Sequence, residues 1–312
     1  MAYILAHYDQ LAEEILYQTD GKVDAVVVGV GTGGTIAGIS RKIKEKSPNT
    51  LIVGADPIGS ILAIPAELNV EGKPNKVEGI GYDFVPRTCQ RTCVDHWVKT
   101  DDLESFRNSR ELISKEGLLT GGSAGSVFEA AKQFIKSQGW ENDKTKRVVC
   151  VFQDSIRNYI TKFLSKEWCV ENGFLSYDEL KEEGHPLNGI KLSEVKFPEV
   201  EAVEDITVAQ ARDLFAKGVR IIPIRVGNAV DSVIFPKKFL ELVALKKLKS
   251  EDSALKTKFK DFVLIPETLD AAQLSKMVER HDAVLIERRS GDNSQIEKLW
   301  AASAVDLITL IK

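Results

Sequence analysis

The sequence predicts an α/β protein: a three-layer lobe built on a parallel sheet, followed by a smaller α/β domain. Three observations carry that prediction. A continuous apolar run is followed at once by glycines and a helical period, strand and helix patterns then alternate along the first half, and the C-terminal part contains an internal repeat.

From Val23 to Val30 the sequence VDAVVVGV is short, β-branched and nearly unbroken in apolar character, as expected of a strand covered on both faces of a parallel sheet. Gly31-Thr-Gly-Gly-Thr35 comes next. Ile36, Ile39 and Ile43 then recur at helical spacing up to Lys46, and Ser47-Pro48 ends the pattern. Leu51-Ile-Val-Gly-Ala55 reads as a second strand, closing at Asp56-Pro57. Leu103 to Gly117 and Ser126 to Gly139 read as helices, and Arg147 to Phe152 as a further buried strand. Between Lys181 and Gly189 the run KEEGHPLNG loses apolar periodicity and gathers glycine, proline and charge, so a linker is expected at 181–189. It separates a lobe of residues 1–180 from a domain of residues 190–312. Within that domain, Val203 to Thr207, a helix at Val208 to Gly218, a strand at Val219 to Ile224 and the stretch Ser232 to Leu242 are echoed further on. The echo is Ile265 to Leu269, Asp270 to Arg280, Ala283 to Ile286 and Trp300 to Leu310.

Composition narrows the function classes. The chain has 312 residues, 43% hydrophobic and 28% charged, a mixture that folds in water and argues against disorder, collagen or a membrane bundle. A net charge of -4 gives no general attraction to nucleic acid phosphates. Cys89, Cys93, Cys150 and Cys169 form no CxxC pair, so neither a disulfide framework nor a zinc site is expected, and a reducing compartment fits. The opening lacks a basic n-region and a long apolar segment, and no stretch reaches bilayer-spanning length; the expectation is a cytoplasmic protein without a membrane span. His7, His96, His185 and His281 are scattered without metal-ligand spacing, and no metal site is expected.

Three glycine-bearing segments carry chemistry. Gly31, Thr32, Gly33, Gly34 and Thr35 lie between a buried strand and a helix start, where unpaired backbone N–H groups and the helix dipole converge on an anion. Gly29, Gly31 and Gly34 also satisfy GxGxxG, with Asp56 at the end of the next strand, so an NAD(P)-binding fold stays open, as does a tight turn without ligand. A second loop, Leu118-Leu-Thr-Gly-Gly-Ser-Ala-Gly-Ser126, again precedes a helix, and no dinucleotide motif calls for it. Its Ser123 serves either as a donor to a ligand acceptor or as a helix cap. In the third, Gly79 and Gly81 adjoin Tyr82 and Asp83, either a loop over a substrate or a tight connection.

Taken in order, HYDQLAEEIL (His7 to Leu16), VGVGTGGTIAGI (Val28 to Ile39), GADPIGSILA (Gly54 to Ala63), EGIGYDF (Glu78 to Phe84), GLLTGGSAGS (Gly117 to Ser126) and QDSIRNYITKFL (Gln153 to Leu164) closely resemble the cystathionine β-synthase family. The resemblance covers residues from about 7 to 175 as catalytic-core sequence. The tail resembles that family's paired CBS (Bateman) regulatory module more loosely. It implies a fold-type II pyridoxal phosphate lobe in which Gly31 to Thr35 hold the cofactor phosphate and Ser123 faces the pyridine nitrogen. Tyr82, with Gly79 and Gly81, belongs by resemblance to the substrate-proximal loop, and Asp154 to Tyr159 lie near the cofactor side of the sheet. The family reaction is β-replacement, joining serine to homocysteine and releasing water and cystathionine, with small amino acids as substrates.

The family's Schiff-base lysine precedes the segment that begins here at His7, and no lysine of this sequence stands in its context. The resemblance therefore implies an incomplete core, inactive alone in transsulfuration, and no heme, since that group is ligated from a preceding tail. An incomplete core exposes apolar surface, so association is expected, with itself or with a full-length enzyme that it would regulate without catalysing. In the tail, Ser303-Ala-Val-Asp306 matches the threonine-x-x-aspartate pattern that holds a ribose in Bateman modules, which implies an S-adenosylmethionine site; Asp306 alternatively decorates a surface helix. Phe235-Pro-Lys-Lys238 stands at the equivalent place in the first copy and lacks the aspartate.

Overall fold

A computed structural model describes residues 2–70, 72–308 and 310. Met1, Glu71, Thr309, Ile311 and Lys312 lie outside the described residues; they include the first residue of the opening searched for a leader and one residue of the second repeat. The chain divides into two compact units, Met1–Cys169 and Val170–Lys312.

In the first unit the order is α1 (Ala2–Ala6), a π-helical turn (His7–Leu11), α2 (Ala12–Gln18), β1 (Ala25–Gly29), α3 (Gly34–Lys46), β2 (Leu51–Pro57), β3 (His96–Thr100), α4 (Asp102–Glu116), α5 (Gly122–Ser137), β4 (Val148–Val151) and α6 (Lys166–Glu171), which crosses the division. The four strands form one sheet in the order β3-β2-β1-β4, every neighbour parallel. Alternation along β1 explains its unbroken apolar sequence. Val26 and Val28 face Ile36, Ile39 and Ile43 of α3 together with Ile15 of α2, while Ala25 and Val27 face Val127, Ala130, Ala131 and Phe134 of α5. Both faces of the sheet are thereby covered, giving three layers. Each buried isoleucine of α3 contributes about 1.5–3 kcal/mol. β3 escapes a reading by sequence because His96, Trp97 and Lys99 interrupt its apolar run, as suits a half-buried edge strand.

Helix α5 begins at Gly122, four residues before the helix expected at Ser126. Small residues make that extension possible: a Cβ at Gly125 would stand 1.8 Å from the Ser105 carbonyl oxygen of α4, so α4 and α5 pack backbone to backbone there.

The second unit repeats one arrangement twice: α7 (Val208–Ala216), β5 (Ile222–Val226), β6 (Ala229–Ile234) and α8 (Pro236–Leu245), then β7 (Val263–Pro266), α9 (Ala271–Arg280), β8 (Val284–Arg289), β9 (Ile296–Ala302) and α10 (Ala304–Ile308). β5 and β6 pair antiparallel, as do β8 and β9; β7 runs parallel to β8, and Val203 makes the matching parallel bridge to Ile224. Both leading helices start with a capping box, Thr207 with Gln210 and Asp270 with Gln273. The copies are interleaved. The segment ahead of the first copy pairs with β9 of the second, Val200 N–H donating to the Leu299 carbonyl and Ala301 N–H to that of Pro198; the segment ahead of the second pairs with β6 of the first through Val233 and Phe259.

The boundary differs from the expected one. Val170, Leu180 and Leu187 are buried in one core cluster with Leu192, Leu274 and Ile286, so residues 170–189 pack with the second unit, and the stretch 181–189 is not an independent linker. Its polarity hid the anchor, because a single leucine in a charged turn creates no periodicity.

Candidate functional site

The sheet order itself locates a crevice. From β1 the chain passes to β2 and β3 on one side, whereas β4, the last strand of the sheet, pairs with β1 on the other, so the strand order reverses between β1 and β4, the place where an open parallel sheet forms a crevice at its carboxyl ends. Gly29, Gly31, Thr32, Gly33, Thr35, Ile36, Gly79, Ser123, Gln153 and Asp154 line a pocket of about 100 Å³ at that place. Gln153 closes its floor, its side-chain amide donating to the Gly29 carbonyl at 3.0 Å.

Two helix starts converge on the pocket. Gly33 caps α3 and Gly121 caps α5, and neither helix receives a side-chain cap; in α5 the Ala124 N–H turns back to the Gly121 carbonyl, so its first-turn N–H groups without an intrahelical acceptor are those of Gly122 and Ser123. The lining contains neither lysine nor arginine. Thr35 Oγ1 stands 3.2 Å from His7 Nε2, and burial lowers the His7 pKa below its ordinary value, which favours the neutral ring. Attraction for an anion therefore comes from backbone dipoles. Gly33 has φ +82°, and a Cβ there would stand 2.3 Å from Cys89 Cα; at Gly31 it would stand 2.5 Å from the Gly79 carbonyl oxygen. Only glycine brings the chain that close at either point. These residues fit the phosphate end of pyridoxal phosphate: a small polar recess, open N–H groups at two helix starts, and glycines on the wall where the backbone must come close.

The predicted residues distribute unevenly. Gly31, Thr32, Gly33, Thr35, Gly79 and Ser123 come together in the lining, and Gly34 opens α3 beside them. Ser123 is the second residue of α5 and makes no capping bond, which removes its alternative reading as a cap. Gly81 and Tyr82 stand apart from the lining. Gly81 N–H donates to the Val30 carbonyl, Tyr82 N–H donates to Ser60 Oγ at 3.0 Å, and the half-buried Tyr82 ring packs against Phe84 with centroids 5.1 Å apart. Gln153 is a lining residue that the motifs did not single out, since its spacing from the glycine loops emerges only when β4 pairs with β1. Asp154 holds its place through Oδ2, which accepts from Tyr159 Oη at 2.5 Å, while its Oδ1 is buried without a partner. Burial, and then the Asp154 carboxylate, push the Tyr159 pKa up, so the phenol stays protonated.

The dinucleotide reading fails at Asp56. Its carboxylate is fully buried, with Oδ2 accepting from Lys99 Nζ at 2.7 Å and from Ala63 N–H at 3.1 Å, and it is closed off from a ribose. Lys99 also donates to the Ser60 carbonyl and to Asn69 Oδ1, locking the pair into the fold.

Cys89 and Cys93 form no disulfide; burial pushes the Cys89 thiol up to about 11 and that of Cys93 in the same direction, so both are poor nucleophiles. Among the described residues no group of three potential ligands could hold a metal ion, and no helix is long and apolar enough to cross a membrane.

In the second unit Ser303 and Asp306 do come together. Asp306 Oδ2 accepts from Ser303 N–H at 2.8 Å and from Ser303 Oγ at 2.7 Å, and Arg220 Nη1 donates to Ser303 Oγ and to both Asp306 oxygens, each at 2.8 Å.

Comparison with known proteins agrees with the first unit's architecture. Residues 1–154 match the family described as pyridoxal-phosphate dependent enzyme. The chain is 39% identical over 324 aligned positions to a cystathionine beta-synthase of Dictyostelium discoideum, covering 98% of this chain and 62% of that protein. It is 38% identical over 319 positions to the cystathionine beta-synthase of Oryctolagus cuniculus, 98% of this chain and 57% of the relative. Against that of Saccharomyces cerevisiae identity is 47% over 181 positions, 56% of this chain and 36% of the relative. The chain thus spans 57 to 62% of the length of the relatives that it matches almost throughout. With its parallel sheet and its paired glycine loops, the chain is similar to the pyridoxal-phosphate dependent enzymes over residues 1–154 and to cystathionine beta-synthases over nearly its whole length.

Proposed function

We propose that the chain serves transsulfuration as a cystathionine β-synthase-type lyase component, acting on small amino acids, with serine and homocysteine as substrates and cystathionine and water as products. The observation that carries this reading is the convergence of two uncapped helix starts, α3 and α5, on one recess at the ends of β1 and β4. Gly31 to Thr35 would hold the cofactor phosphate through backbone N–H groups, and Ser123 would face the cofactor ring. Pyridoxal phosphate, when bound, supplies an electron sink for the carbanion that β-elimination requires. The chain's own part is to hold and orient: a neutral hydroxyl at Ser123 places no full charge beside the ring, Gln153 ties the floor of the recess to β1, and Gly79 brings the Tyr82 segment alongside. No residue of the lining is a lysine, so the amine that such chemistry needs is not among the groups that form this recess.

Incubation of the purified chain with pyridoxal phosphate, borohydride reduction and peptide mass spectrometry test the reading. We expect saturable binding that inorganic phosphate competes away and no specifically reduced lysine in the chain by itself. A single reduced lysine would make the chain a self-sufficient lyase, and binding indifferent to phosphate would remove the cradle. A second reading, a non-catalytic regulator of a full-length enzyme in the cytoplasm, is favoured by the exposed Leu118, Leu119 and Ile160 on segments next to the recess. It predicts co-migration with such an enzyme and altered kinetics on mixing. The second unit is proposed as a paired regulatory module, a reading supported by its two interleaved copies.

A further inference from the structure

Helix α3 is met at its middle by the segment that opens the first unit. A Cβ at Gly38 would stand 2.5 Å from the Ile4 carbonyl oxygen, 2.7 Å from His7 Cβ and 3.0 Å from the Tyr8 nitrogen, so a glycine is what lets the two backbones touch there. The point of contact coincides with the change from α1 to the π-helical turn that begins at His7, a wider winding that redirects successive side chains. His7 and Tyr8 then reach toward opposite ends of α3. Tyr8 Oη donates to Glu45, and Lys42 Nζ lies 4.0 Å from the centre of the Tyr8 ring, two contacts that secure the segment near the helix's C-terminal end. His7 turns the other way, placing Nε2 3.2 Å from Oγ1 of Thr35, the second residue of α3 and part of the recess lining.

The direction of that hydrogen bond decides what Thr35 offers to the recess. A threonine hydroxyl carries one proton and two lone pairs, and a neutral imidazole carries one N–H and one bare nitrogen. Were Thr35 to give its proton to His7, it would present only an oxygen to an incoming anion. With Nε2–H as the donor, the hydroxyl can direct its proton into the recess instead. Each donor matters there, because the lining contains neither lysine nor arginine and already includes the Asp154 carboxylate. Burial lowers the His7 pKa, so the ring is neutral and one nitrogen alone bears the proton. We propose that His7 is a positioning residue of the recess: as the Nε2–H tautomer it donates to Thr35 Oγ1 and turns the Thr35 hydroxyl toward the phosphate of a bound phosphate monoester. The inference rests on the reading of the recess as a phosphate cradle and adds to it a residue outside the lining, which acts only through Thr35.

The test is calorimetric titration of the full chain at neutral pH with deoxypyridoxine phosphate, a probe that carries the phosphate but no aldehyde and so reports the cradle apart from any lysine. We expect His7→Leu to weaken binding about three- to tenfold and Thr35→Val about tenfold or more, while His7→Gln, whose amide keeps a donor at similar reach, stays within about twofold of the unaltered chain. In a Thr35→Val background His7→Leu should add nothing, since the group that it positions is gone. Equal binding by His7→Leu, the same loss in His7→Gln, or an undiminished effect in the Thr35→Val background overturns the inference and leaves the cradle standing. An unaltered chain that does not bind the probe overturns the cradle, and the inference with it. A second measurement reads the unaltered chain directly: the imidazole nitrogen-15 shifts of its four histidines, with His7 identified as the signal absent from His7→Gln. A ring protonated at Nε2 supports the inference, and one protonated at Nδ1 refutes it.

Discussion

Ser123 sits at the second position of α5, buried, outside the helix's capping scheme and in the lining of the recess, and the role proposed for its hydroxyl lies there. The two roles separate experimentally. Ser123→Ala should change the unfolding free energy of the first unit by no more than about 0.5 kcal/mol, read from denaturant melts, while weakening pyridoxal phosphate retention or shifting the bound cofactor's absorbance. A loss of stability as large as that of a lost cap, about 1 kcal/mol, with unchanged retention would return Ser123 to the cap that the sequence alone allowed. Arg220 shows the opposite limit of sequence reading. Its partner lies 86 residues away, and an arginine before a strand carries no signal of its own, so the Arg220–Asp306 pair emerges only when the copies interleave. Asp56 is similar: correctly placed for a ribose by spacing, it is claimed by Lys99 from a strand that sequence pattern did not reveal.

At the scale of elements, what was legible followed burial. β1 is fully covered on both faces, and its unbroken run announced it; α3, with one isoleucine face, announced itself by period. The start of α5 was obscured because Gly121, Gly122 and Gly125 read as a loop, although their purpose is close approach to α4, to Asp154 and to the recess. The junction of β1 with β4 also rests on a titratable group. Asp24 accepts from Arg147 N–H at 2.8 Å and from Lys146 Nζ at 3.0 Å, joining the entries to both strands. The Arg147 backbone bond, with burial opposing and Lys146 assisting, lowers the Asp24 carboxyl below its ordinary value. A folded value below the unfolded one means that the carboxylate stabilises above about pH 4 and that this contribution disappears as pH falls through the folded value. Asp24→Asn should accordingly be less stable than the unaltered chain at neutral pH, with the gap narrowing below about pH 4 in urea melts that follow the first unit. A gap independent of pH would show that the bond acts without its charge.

For the whole molecule, the place where the chain divides decides which fragment is worth making. A chain begun at residue 170 keeps Val170, Leu180 and Leu187 in the second unit's core, whereas one begun at residue 190 discards them. Three buried aliphatic side chains at about 1.5–3 kcal/mol each are a large share of a small domain's stability. The longer fragment should unfold cooperatively, and the shorter should melt lower by several degrees or fail to fold, as calorimetry would record; identical melting of the two would restore the linker at 181–189. The two interleaved copies meet through two ion pairs, Arg220 with Asp306 and Lys237 with Asp282, and these bear on the company that each copy keeps. Arg220 and Lys237 both belong to the first copy, Asp282 and Asp306 both to the second. Were two first copies from separate molecules to meet in this geometry, guanidinium would oppose ammonium; two second copies would set carboxylate against carboxylate. Swapping of like with like is thereby penalised, and each half is steered to the unlike half of its own chain.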